Sequence, residues 1–146
     1  MLGNPANRGK AIALTFDQFN YGWTNNLDEA EARDLYEKYH VAASGVPLFQ
    51  AAFANLNPWT EAKADYKNPN RGPMLIIAGD NDTTAPTAIQ QAAFKLQSKN
   101  DAVTEISVIP DRGHSLIIDH GWQDVANVAE EFITRTLDRA RVKLPS

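Results

Sequence analysis

Two segments of one design set what the second half of this chain can become. PMLIIA (Pro73 to Ala78) is an apolar run of strand length, followed by GDNDTTAP and then by a helix-forming stretch. TEISVI (Thr104 to Ile109) alternates like a strand and is followed by PDRGHS and a longer helix-forming stretch. Strands alternating with helices imply parallel pairing across each intervening helix. The pattern predicts strands at Met74–Ala78 and Glu105–Ile109, and helices at Thr87–Gln97 and Trp122–Arg141. Ile89, Ala92, Ala93 and Leu96 recur on one face of the first helix. Val125, Val128, Ala129, Phe132, Ile133 and Leu137 do so on the second. Two strands make a marginal sheet in water, so this half reads as the end of a larger one.

The chain divides at Asn68-Pro69-Asn70-Arg71-Gly72-Pro73, a cluster of turn residues. Before it the sequence is mostly helical. LDEAEARDLYEKY (27–39) is rich in helix formers with acids early, where the helix dipole favours them. Asn25 or Asn26 is expected to cap it, with Ala32, Leu35, Tyr36 and Tyr39 inward. A shorter helix is expected from Leu48 to Leu56. Residues 11–24 hold Phe16, Phe19, Tyr21 and Trp23 and show no assignable period.

At 146 residues the chain is about one domain. Its net charge of −4 argues against nucleic acid, which needs clustered Lys and Arg. The one modest basic cluster, Arg135, Arg139, Arg141 and Lys143, fits the wet face of the last helix. With no cysteine there is no disulfide, thiolate metal site or Cys nucleophile. No apolar run approaches the ~20 residues of a membrane span, and the N-terminus has no signal-peptide core. The expected location is the cytoplasm.

In open α/β sheets, ligands bind beyond the carboxyl ends of the strands. Asp80 and Asp82 follow the first strand and His114 follows the second, after a turn at Gly113. If the strands are neighbours, an acid and an imidazole share one rim. A carboxylate there accepts a hydrogen bond from Nδ1–H, fixes the tautomer and leaves the other ring nitrogen as a general base. His114, Asp119 and His120 are close together but match no metal-ligand spacing, so no metal and no cofactor are expected. His120 suits a structural role at the mouth of the last helix, and His40 a surface or packing role. The aromatics of the first half, including Phe49, Phe53 and Trp59, suit either core packing or an acyl pocket.

GPMLIIAGDNDTTAP (72–86) and PDRGHSLIIDHGW (110–122) resemble the α/β-hydrolase family. In that family the triad acid lies in G-x-x-D-x-x-x-P after a late strand, and the histidine in G-H-S after the last strand. The resemblance implies that Asp82, rather than Asp80, is the acid and that His114 is the base. It also implies that residues 1–70 are a helical cap or lid and 71–146 the C-terminal part of the α/β core. The family's nucleophile stands in G-x-S-x-G, and no such motif occurs here. Ser44 follows no strand and lacks the preceding glycine, and Ser115 is expected to brace its loop. The implied protein is a piece of an esterase-like serine hydrolase, carrying acid and histidine without serine or oxyanion loop, and inactive alone. The intact parent would take a small ester or acyl substrate. The alternative is a non-catalytic module, joined to a complementary N-terminal half or to copies of itself.

Overall fold

The computed structural model describes residues 3–61 and 63–142. In the first half, β1 (Ala11–Ile12) pairs antiparallel with β2 (Ala43–Ser44), and there are three helices: α1 (Phe16–Trp23), α2 (Glu29–Tyr39) and α3 (Val46–Phe53). Helix α3 begins two residues before the expected Leu48, and a 3₁₀ turn, Ala54–Leu56, carries it to the expected end.

Helix α1 resolves the stretch that showed no period. Its start is a reciprocal capping box: Thr15 Oγ accepts from the Gln18 N–H, and Gln18 Oε1 from the Thr15 N–H. Helix α2 is capped by Asp28, whose carboxylate accepts from the Glu31 N–H, and not by Asn25 or Asn26. Those two asparagines are used elsewhere. Phe19, Ala32 and Leu35 are buried where α1 meets α2, and Phe49 is buried on α3. Tyr36 meets Phe16 and Phe19 edge to face at 5.7 and 5.4 Å. Tyr39, expected inward, is exposed. Both backbone groups of Leu14 are satisfied from α2's end, the C=O by the Tyr36 hydroxyl and the N–H by His40 Nε2. His40, stacked on Tyr36, is thus a packing residue.

In the second half, β3 (Met74–Gly79) and β4 (Thr104–Ile109) form a parallel pair with Met74 opposite Thr104 and Gly79 opposite Ile109. Helix α4 (Thr87–Gln97) connects them, and α5 (Trp122–Val142) packs against β3. This is the small parallel α/β unit that the alternation predicts. Ala78, Leu116, Val125 and Phe132 are buried, each large apolar side chain contributing about 1.5–3 kcal/mol. The turn-rich divide is tied down: Arg71 donates to Gly72 O, Gln97 O and Thr104 Oγ1, and Asn100 to the carbonyls of Tyr66 and Asn68.

The helix faces are less buried than their periodicity predicts. Ile89, Ala92 and Leu96 of α4, and Ile133 and Leu137 of α5, are exposed. The reason is width: strands lie ~4.8 Å apart and a helix is ~10 Å across, so two strands cannot cover both apolar stripes. Arg135 lies on the wet face of α5 as expected and grips Glu105 of β4 through two bonds of 3.1 and 3.0 Å. The side chains of Arg139 and Arg141, and all of Lys143, fall outside the described residues. No described helix is long and apolar enough to cross a membrane.

Candidate active site

The register of the two strands places the site. Because Gly79 lies opposite Ile109, the loops after β3 and β4 leave the sheet level with one another. The Asp80 N–H still donates to Ile109 O, and the Asn81 N–H to Arg112 O, so the loops run side by side for another step. Glycine is needed at Gly79 because a Cβ there would collide with the backbone carbonyl of Arg112. The turn after β4 is taken by Asp111 at φ 56°, a conformation Asp tolerates better than most residues. The expected turn at Gly113 is therefore corrected. Gly113 has no positive φ and is required by close approach, since a Cβ there would strike the side-chain oxygens of Asn25 and Asn26.

Asp82 uses its two oxygens differently. Oδ1 accepts from the Thr84 and Ala85 N–H groups at 2.8 and 2.7 Å, an Asx-type turn leading into α4. Oδ2 lies 2.8 Å from His114 Nδ1. The turn-forming and the imidazole-holding roles of this residue coexist. Asp82 is buried, its side chain only 6% exposed, and that of His114 is 26% exposed. Burial works to raise the Asp82 pKa. It is outweighed by the Ala85 N–H, the His114 hydrogen bond and charge, and the Thr84 N–H, and the carboxyl sits below its ordinary value. An ionised acceptor assigns the proton to His114 Nδ1, and Nε2 is left with its lone pair. Among the described residues nothing is hydrogen-bonded to Nε2. Asp80, two residues away, is exposed, and its side chain makes no bond among the described residues.

The serines fall elsewhere. Ser44 is exposed in β2, its Oγ accepting from the Val46 N–H. Ser98 Oγ donates to Phe94 O within α4. Ser115 is 1% exposed and braces its loop through its backbone: its N–H donates to Trp23 O, and its C=O accepts from Ile118 and Asp119. Its hydroxyl is buried without a partner.

Four features of the site escaped sequence reasoning. Trp23 packs edge to face on the His114 ring at 4.6 Å. Asn25 Nδ2 donates to Asn81 O and Asn26 Nδ2 to Asp111 O, one bond to each loop. Buried Arg112, inside the PDRGHS motif, donates to Leu116 O, Gly121 O and the fully buried Asp119 carboxylate. Glu31 of α2 holds His120 through both its N–H and Nδ1, at 2.7 and 2.8 Å, consistent with a structural role beside α5. Only the capping pattern T-x-x-Q before α1 was a local signal for any of this. The aromatics do not form one pocket. Phe16 and Phe19 pack with Tyr36, while Phe49, Phe53 and Trp59 line a separate cleft of about 900 Å³ with Pro5, Arg8 and Gln50. Among the described residues no three His, Asp or Glu side chains converge as metal ligands.

Neither a family model, nor a curated protein, nor a solved structure matches this chain.

Proposed function

We propose that Asp82 and His114 are the orienting acid and the general base of a serine α/β-hydrolase, within a chain that carries the C-terminal part of that fold. The observation that carries the reading is the 2.8 Å Nδ1···Oδ2 pair at the carboxyl ends of two parallel strands, with Nε2 unbonded. Nε2 would take the proton of a serine hydroxyl as its oxygen bonds the acyl carbon of an ester, and Asp82 would stabilise the resulting imidazolium. The same proton then passes to the departing alkoxide, and water repeats the sequence on the acyl-enzyme. The serine and one oxyanion donor would come from a G-x-S-x-G turn, which these 146 residues lack, and the other donor from a separate loop. Residues 1–70 serve as the cap, and its α1 end reaches the imidazole.

A second reading, a non-catalytic module, is favoured by a different observation. Ile89 and Leu96 on α4, and Ile133 and Leu137 on α5, are apolar and exposed. Exposed apolar patches invite association with a complementary half or with copies of the chain. Gel filtration with light scattering, and a p-nitrophenyl ester assay on each peak, tests both readings. The hydrolase reading predicts only weak, imidazole-type turnover from the isolated chain. Joined to a nucleophile-bearing half, activity should appear and fall about 10⁴-fold or more in His114→Ala. Equal activity of the two joined proteins, or a serine-type burst from the isolated chain, would contradict it. An inactive, discrete oligomer that gains nothing from a nucleophile half would favour the module.

A further inference from the structure

The last four carbonyls of a helix have no partner within it. In α1 these belong to Asn20, Tyr21, Gly22 and Trp23, and each finds a donor. Asn20 O accepts from the capping Thr24 N–H, Tyr21 O from the Thr83 hydroxyl, Gly22 O from the Thr84 hydroxyl, and Trp23 O from the Ser115 N–H. Three of the four donors come from the two loops that carry Asp82 and His114. The next residues continue the pattern, Asn25 bonding the first loop and Asn26 the second. Between them Thr24 is wholly buried, its hydroxyl on Asn20 Oδ1. Five of the six residues from Tyr21 to Asn26 thus bond one loop or the other, with Thr24 buried among them.

Within this clamp Trp23 touches the imidazole itself. One hydrogen bond, Nδ1 to Asp82, is a pivot about which the His114 ring can still twist. Trp23, edge to face at 4.6 Å, supplies a second contact off that axis and so defines the ring plane. Trp23 is itself held from behind. Its indole stacks on Phe19 at 6.0 Å with 10° between planes, and Phe19 is 5% exposed in the α1–α2 core.

We propose that the segment Tyr21–Asn26 is the positioning element of the Asp82–His114 pair, with Trp23 the side chain that fixes the orientation of the His114 ring. The proposal rests on the general-base reading of His114. Trp23 is a positioning residue and acts through His114, so its effect must show at that ring and not only in overall stability.

The test is solvent exchange of the His114 Nδ1 proton, followed by NMR on the ¹⁵N-labelled full chain. Trp23→Leu should speed that exchange between about twofold and tenfold, the range an aromatic pair sustains, with the backbone amide pattern of α5 unchanged. Trp23→Phe, which keeps an aromatic face, should restore most of the protection. Thr83→Val/Thr84→Val removes two clamp hydroxyls without touching either ring, and should speed exchange in the same direction. If Trp23→Leu loses its dispersed spectrum, that double variant decides the matter. Asp82→Asn separates the two levels of the argument. If it speeds exchange while the Trp23 and threonine variants do not, the positioning role is overturned and the general-base reading stands. If Asp82→Asn itself leaves the proton unchanged, the reading beneath it falls.

Discussion

Asp82 is the residue on which stability and chemistry meet. One oxygen closes the turn into α4 and the other holds the imidazole, so ionisation of a single side chain supports both. Its folded-state pKa is lowered. Its stabilising contribution is therefore fully present above the unfolded value, about 3.9, and is lost as pH falls through the lower folded value. Denaturant titrations should show wild type more stable than Asp82→Asn at neutral pH, with the gap closing below about pH 4. A gap that stayed constant down to pH 2 would contradict the assignment. The preference for Asp82 over Asp80 came from the resemblance to the hydrolase motif, and it is Asp82 that bonds His114. The Trp23 contact was not legible, because it joins residues 91 positions apart, and no local period encodes that distance.

At the scale of elements, the loop from Pro110 to Gly121 is organised by Arg112. Its guanidinium is buried against Asp119 and the carbonyls of Leu116 and Gly121, and this fixes the turn that presents His114. Removing one member strands the other charge in the interior, so Asp119→Ala should cost about 3–5 kcal/mol in equilibrium unfolding. Arg112→Met combined with Asp119→Leu should cost clearly less than the two single changes added together. Strict additivity would mean the pair is not coupled. The periodic elements, β3, β4, α2, α4 and α5, were readable to within two residues because side-chain spacing reports them directly. Helix α1 was obscured by four aromatics within eight residues, although Thr15 and Gln18 marked its start. The Arg112–Asp119 pair was unreadable because a loop has no period.

Across the whole molecule, the first half contributes less an independent domain than a support for the second. Asn25, Asn26, Glu31 and the end of α1 all bond residues of the two loops that carry Asp82 and His114 or of the His120 turn. The parallel pair is open along β3. Met74 and Asp80 donate towards β4, so by alternation the N–H groups of Leu75 and Ile77 point away from it, where no described strand pairs. That edge and the exposed faces of α4 and α5 explain why periodicity overstated burial: it reports which side chains share a face, not how much sheet there is to cover them. The proposed chemistry depends on where one proton of His114 sits. The ¹⁵N shifts of the His114 ring, measured where the ring is neutral, locate it. The expected result is a protonated Nδ1 and a bare Nε2, with that preference weakened in Asp82→Asn. A proton on Nε2 instead would leave no base facing outward and would contradict the proposed chemistry.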